Sequence, residues 1–300
     1  MPPLYLLLPL FAAVVYALGS IVIKRALKEG VTMDQSFHLT NLVLGLMFLP
    51  MLFLEKGTID WTQIAKPLLI GAAFFFGHWL TFIALRRGDV SFVTPLMGTK
   101  VVFVALGVVF LTGRVPSVPL FVAAVLTTLG IFVMGRADLK GGSHLALTVV
   151  LTLSSALLFG LFDVLVAWWA ADFGAFGLLG ISMGSVPLFT LVLWLFQGRP
   201  ALKPTKSGAK WTWWGAILIG VQAITMGMAL SFFDDATGVN VVYASRGLWV
   251  IVLLLVFGRM LGNSERHDTG RGFLWRILGT LILTIAIIIA VADRAAAMAG

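Results

Sequence analysis

Ten stretches of this chain are each long and apolar enough to cross a bilayer. They run at about Leu4 to Ile23, Phe37 to Leu54, Pro67 to Leu85, Val90 to Thr112 and Val118 to Gly135. A second set runs at about Leu145 to Ala170, Phe176 to Phe196, Trp211 to Phe233, Val239 to Gly258 and Phe273 to Ala292. A spanning helix needs ~20 apolar residues and a spanning strand only ~10, so these runs read as helices. Gly, Pro and charged residues punctuate them, as at Lys56-Gly57, Arg87-Gly88-Asp89, Lys140-Gly141-Gly142 and Gly198-Arg199-Pro200. Only short loops are left, with no room for an extramembrane domain. With 60% hydrophobic and 11% charged residues, the chain has less than half of the roughly 25% charge of a soluble domain. A soluble enzyme, a nucleic-acid-binding module and a disordered chain are excluded. The absence of cysteine excludes disulfides and thiolate chemistry. Met1-Pro2-Pro3-Leu4 lacks a basic n-region, so no cleavable signal is expected.

The two halves, 1–140 and 141–300, correspond internally. Gly98-Thr99-Lys100 in the fourth span matches Ala244-Ser245-Arg246 in the ninth: small, hydroxyl, cation. At the same upstream spacing Asp89 falls opposite Asp235 and Ser91 opposite Thr237. Downstream, Thr112-Gly113-Arg114 parallels Phe257-Gly258-Arg259 with a one-residue slip. Five spans per half is an odd number, so the halves must insert in opposite senses, as in many secondary transporters. The expected fold is an all-α membrane protein of ten transmembrane helices in two inverted five-helix repeats.

The chain resembles ten-helix members of the drug/metabolite transporter superfamily with EamA-like halves. The pieces that carry the resemblance are Leu18-Gly19-Ser20, Ala84-Leu85-Arg86-Arg87, Pro95-Leu96 and Leu111-Thr112-Gly113-Arg114-Val115-Pro116-Ser117, with Arg246 and Phe257-Gly258-Arg259 in corresponding places of the second half. The acidic residue that the family often sets before the Arg after span four is absent, since Gly113 precedes Arg114 directly. The resemblance implies a transporter with cytoplasmic termini.

The charge pattern points to the other orientation. Loops after odd-numbered spans hold fifteen Lys and Arg, whereas the opposite side holds only Lys56, Lys66, Arg114 and Arg294. Positive-inside logic therefore places both termini outside. The formal charge of +8 is read as topology, not as a nucleic-acid surface.

Lys100 lies about ten residues from either end of its span, near the midplane at ~1.5 Å per residue, and Arg246 occupies the equivalent place. A central cation costs on the order of 2.5–3.5 kcal/mol on insertion scales, so such residues face the interior or a wet cavity and are functional candidates. The bland alternative pairs them structurally with Asp163, but one carboxylate cannot neutralise both. The resemblance adds that basic residues at these places bind phosphate in phosphate- and nucleotide-sugar-translocating branches. Asp163 in span six and His78 in span three are the candidates for proton coupling. Asn240, Tyr243 and Arg246 recur every three residues, on roughly one helical face, with Trp249 nearby. Together with Asn41 they are the groups expected to orient a substrate. Trp61, Trp168, Trp169, Trp211, Trp213, Trp214 and Trp275 sit at span ends as an interfacial belt. Gly19, Gly77, Gly107, Gly130 and Gly279 are expected where helices approach closely.

No phosphate-binding Gly-rich loop, paired-His motif or Ser/His/Asp set is present. Glu265 and His267 read as solvated loop residues. No enzyme activity, cofactor or metal is expected. The expectation is a secondary transporter in the cell membrane, taken as a bacterial inner membrane, with a homodimer as a candidate assembly. Its partners would be the bilayer and a small anionic or zwitterionic metabolite, moved by alternating access through exchange or proton coupling. Export of amino acids or hydrophobic drugs, lipid flipping, and a non-transporting scaffold or sensor are the alternatives.

Overall fold

The computed structural model describes residues 3–87, 93, 96–135, 145–257 and 271–298. Apolar side chains all round a helix leave no polar face to turn to water, and here successive helices of that kind pack into one bundle. A 3-10 turn at Leu4–Leu6 leads into α1 (Leu7–Lys28), which ends on Arg25 and Lys28, cations that complement the carbonyl end of a helix. α2 (Met33–Phe48) opens on a capping box, in which the Thr32 hydroxyl accepts from the Gln35 N–H at 3.2 Å and the Gln35 side chain accepts from the Thr32 N–H at 3.0 Å. It runs on as a 3-10 turn, Leu49–Phe53. Then come α3 (Ala65–Arg87) and α4 (Lys100–Gly107), with a π-helical turn at Val108–Thr112 after α4. α5 (Val118–Gly135), α6 (Leu145–Phe173) and α7 (Ala175–Phe196) follow. α8 (Lys206–Phe233) and α9 (Ala236–Tyr243) are capped by the side chains of Thr205 and Asp235. α10 (Arg246–Phe257) and α11 (Arg271–Ala297) complete the chain.

Every regular element among the described residues is helical. Among the described residues eight helices, α1, α2 with its 3-10 extension, α3, α5, α6, α7, α8 and α11, are long and apolar enough to cross a membrane. The other two expected spans differ from a plain helix. A two-residue turn at Gly98 and Thr99 precedes α4, and one at Ala244 and Ser245 separates α9 from α10. Both stay right-handed, with Thr99 at φ −60°, ψ −17° and Ala244 at φ −60°, ψ −19°. The backbone there tightens to i→i+3 hydrogen bonds rather than reversing. Hydropathy reads such a segment as one apolar run, because the tightening leaves no polar gap. Asp89, Ser91, Pro95, Lys140, Gly258, Arg259, Glu265 and His267 lie outside the described residues.

The packing is reciprocal between the halves. α1 lies on α8 and α10, while α6 lies on α3 and α4; α2 meets α7 and α8, α3 meets α7, and α5 pairs with α11. The α5–α11 contact is backbone on backbone: a Cβ at Gly279 would stand 2.5 Å from the Gly130 carbonyl oxygen. The one-residue link between α6 and α7 is Gly174, at φ +92°, a conformation that L side chains rarely adopt. The outer surface is largely apolar, including Phe110, Leu188, Val256 and Ile288. Trp61, Trp213 and Trp214 are exposed near helix ends, and Lys66 and Lys210 lie over the rings of Trp169 and Trp211. These are the hallmarks of a multi-pass membrane protein.

Candidate intramembrane charge site

The two tightened turns set two cations at the first residue of a helix, Lys100 on α4 and Arg246 on α10. At the first turn the Gly98 carbonyl accepts from the Val101 N–H at 3.3 Å and also from the Thr128 hydroxyl of α5 at 3.1 Å, which ties the turn to α5. At the second, the buried Ser245 hydroxyl has no hydrogen-bond partner.

Lys100 is buried, and its Nζ stands 2.6 Å from Asp163 Oδ2 on α6, itself only 2% exposed. The ammonium also lies 5.9 Å from the Phe159 ring centre and 5.8 Å from that of Tyr243. Arg246 is half-buried. Its Cζ lies 4.6 Å from the Tyr243 ring centre and 5.3 Å from that of Tyr16 on α1, and those two rings meet edge to face at 6.1 Å. No carboxylate among the described residues pairs with Arg246. Tyr243 is thus the common neighbour of both cations, and the cluster draws on α1, α4, α6, α9 and α10.

The expected residues divide into three places. Lys100, Asp163, Tyr243 and Arg246 come together. Asn240 does not point its amide at them: its Nδ2 donates to the Ala236 carbonyl of its own helix at 2.9 Å. The expected shared face of Asn240, Tyr243 and Arg246 is interrupted by the turn at Ala244 and Ser245. Asn41 and His78 form a second centre, where His78 Nδ1 and Asn41 Oδ1 are 2.8 Å apart among the rings of Phe37, Phe74 and Phe82. The buried Asn41 Nδ2 has no partner. A layer of phenyl rings joins the two centres, because Phe159 meets Lys100 on one side and Phe74 at 5.6 Å on the other. Trp249 lies elsewhere, with Ser245, Leu10, Leu248, Val252, Thr280 and Ile287 around an almost wholly apolar cavity of about 380 Å³.

Sequence reasoning missed Tyr16 and Phe159. Tyr16 carried a signal: the chain has only three tyrosines, and each contacts a charged side chain, Tyr5 through a 2.5 Å hydrogen bond to Asp235. Phe159 carried none, as one of 23 phenylalanines.

Residues 3–136 match the EamA-like transporter family. A protein of known crystal structure superposes with a TM-score of 0.76 over 97% of this chain and 98% of its own, at 13% sequence identity, a likeness of fold alone. No curated protein matches by sequence.

Proposed function

We propose, from the match of residues 3–136 to the EamA-like transporter family, that this membrane protein is a secondary transporter of the drug/metabolite type that carries a small anionic or zwitterionic metabolite. In this reading the chain has ten spans in two inverted repeats, 1–140 and 141–300. The reciprocal packing supports that: exchanging the halves turns α1 on α8 into α6 on α3, and α1 on α10 into α6 on α4. Alternating access then consists of one repeat rocking against the other around a site near the midplane. Energy comes from solute exchange or from a proton gradient, with Asp163 and His78 as the groups able to take a proton. The protein works as a carrier, not an enzyme, in the cell membrane of a bacterium. Both termini lie outside by the charge rule, and a reporter fused to either end reads that directly.

The observation that carries the anion reading is the meeting of Lys100 and Arg246 on the two sides of Tyr243, with one carboxylate, Asp163, between them among the described residues. A guanidinium can hold a carboxylate or phosphate through two parallel hydrogen bonds. The test is a thermal-shift screen of the purified protein against anionic, cationic and neutral metabolites, repeated on Lys100→Ala and Arg246→Ala. A ligand at a hundredfold excess over its Kd stabilises the folded state by ~2.7 kcal/mol. Stabilisation by anions that the folded variants lose supports the reading. Stabilisation by cations or apolar compounds that the variants retain favours an exporter of apolar or amphiphilic molecules, for which the cavity beside Trp249 offers a place.

A further inference from the structure

The charge balance of the site restricts which anions it accepts, an inference that rests on the anion reading above. Lys100 and Asp163 are both buried and 2.6 Å apart, so each neutralises the other. Arg246, beyond Tyr243, has no carboxylate partner among the described residues. The other side chains that touch the two cations are Phe159, which carries no ionisable group, and Tyr16 and Tyr243, and phenols are neutral near pH 7. Among the described residues, two cations and one carboxylate leave a single uncompensated positive charge. A guanidinium carries five N–H donors around its edge, more than the side-chain hydrogen bond between Arg246 and Tyr243 uses. A singly charged carboxylate or headgroup on that edge leaves the site neutral. A doubly charged one leaves it with a net negative charge in a low-dielectric interior, where charge is costly.

We propose that the site selects monoanions over dianions, and that Asp163 sets this preference by cancelling Lys100 without touching the substrate. Arg246 binds the anion, and Asp163 is a specificity-determining residue that acts through Lys100.

The experiment measures equilibrium binding of three probes of nearly one shape to the purified full-length protein near neutral pH: dimethyl glutarate, monomethyl glutarate and glutarate, which carry zero, one and two charges. The parent protein prefers the monoester to the diacid by about tenfold, equivalent to ~1.4 kcal/mol. Asp163→Asn raises the site by one charge and reverses the order. The double variant Lys100→Gln/Asp163→Asn returns the site to one charge and restores the parent order. A measurement on the parent alone covers the case in which the single variant does not fold. As pH falls through the upper carboxyl pKa of glutarate, the diacid becomes a monoanion, and its affinity rises to that of the monoester. A parent that binds glutarate as tightly as the monoester at neutral pH, or an order unchanged in folded Asp163→Asn, overturns the inference and leaves the anion reading standing. Failure of both acids to bind, with or without binding of the diester, overturns the anion reading and the inference with it.

Discussion

The Lys100 ammonium meets the Asp163 carboxylate at 2.6 Å across the α4–α6 contact, with both groups out of solvent. Removing one member of such a pair strands a buried charge, which costs about 3–5 kcal/mol, whereas replacing both by apolar groups of similar volume is often neutral or stabilising. Asp163→Leu and Lys100→Met are each expected to lower the denaturation midpoint by that order, and the double variant to recover most of the loss. A double-mutant cycle on the purified protein reads the coupling. Simple addition of the two losses would show that the pair contributes nothing as a pair.

Tyr16 is expected to hold Arg246 rather than to bind substrate through its hydroxyl, since the contact is made by its ring. A cation over an aromatic face gains about 0.5–2 kcal/mol. Tyr16→Leu should therefore weaken anion binding by roughly twofold to thirtyfold, the equivalent of that energy, and Tyr16→Phe should leave it close to the parent value. Arg246→Lys keeps the charge and loses the planar fork, so it should weaken binding too. Equal losses in Tyr16→Phe and Tyr16→Leu would move the role from the ring to the hydroxyl.

Both centres of the site draw on residues legible in the sequence, because a charge, an amide or an imidazole in an apolar run stands out by its cost alone. Lys100, Arg246, Asp163, Asn41 and His78 were visible on that ground. Which of them touch was not. Asn41 reads as a substrate group until α2 and α3 are brought together and its carbonyl oxygen is found on His78. Asn240 reads as a site residue from its spacing, but the amide turns back to Ala236. The eight long helices were plain from hydropathy, while the turns at Gly98 and Ala244 were hidden by their right-handed dihedrals. Aromatic partners such as Phe159 were invisible, since nothing in an apolar run separates a residue facing a cation from one facing lipid.

The α5–α11 contact has no room for a side chain at position 279, where a Cβ would stand 2.5 Å from the Gly130 oxygen and 2.6 Å from the Met134 nitrogen. Both are backbone atoms, so relief requires the helices to separate. Gly279→Ala is expected to destabilise by about 1–3 kcal/mol, the usual range for overpacking, read as a lower unfolding midpoint. An unchanged midpoint would mean that the two helices can part at no cost.

Glu55 lies outside the spans, between α2 and α3, and its Oε2 accepts from the Gly177 N–H in the first turn of α7 at 2.9 Å. That hydrogen bond, with help from the Gly57 N–H, holds the carboxyl below its usual range. A group whose folded pKa is depressed adds stability above its unfolded value of about 4.3, and loses it as pH falls through the lower folded value. Glu55→Gln should cost about 0.3–1 kcal/mol at neutral pH, the range for a carboxylate at a helix N-terminus. The parent and variant midpoints should converge as the medium is acidified below that window. Midpoint curves that stay parallel throughout would show that Glu55 is not linked to folding.

At the end of the bundle that holds Tyr5 and Arg294, Asp235 joins the first half of the chain to the second. Its Oδ2 accepts from the Tyr5 hydroxyl at 2.5 Å and stands 3.3 Å from Arg294 Nε, while its Oδ1 caps α9 through the Gly238 N–H at 3.0 Å. Close by, Arg114 pairs with Asp234, and the Ser117 hydroxyl donates to Asp293 at 2.7 Å. Behind these ties lies a cavity of about 210 Å³, with the buried Thr237 in its wall. If the halves rock against each other, these contacts break when this end opens. Asp235→Asn keeps a good helix cap but removes the charge that faces Arg294, so it should weaken the closure without unwinding α9. The chain has no cysteine, so Thr237→Cys supplies a single thiol whose reaction with a hydrophilic maleimide reports opening. Labelling of Thr237→Cys should be faster with Asp235→Asn than without it, and substrate should change the rate in both. Equal rates in the two backgrounds would mean that Asp235 serves α9 alone and that the two halves are held at this end by Arg114 with Asp234 and Ser117 with Asp293.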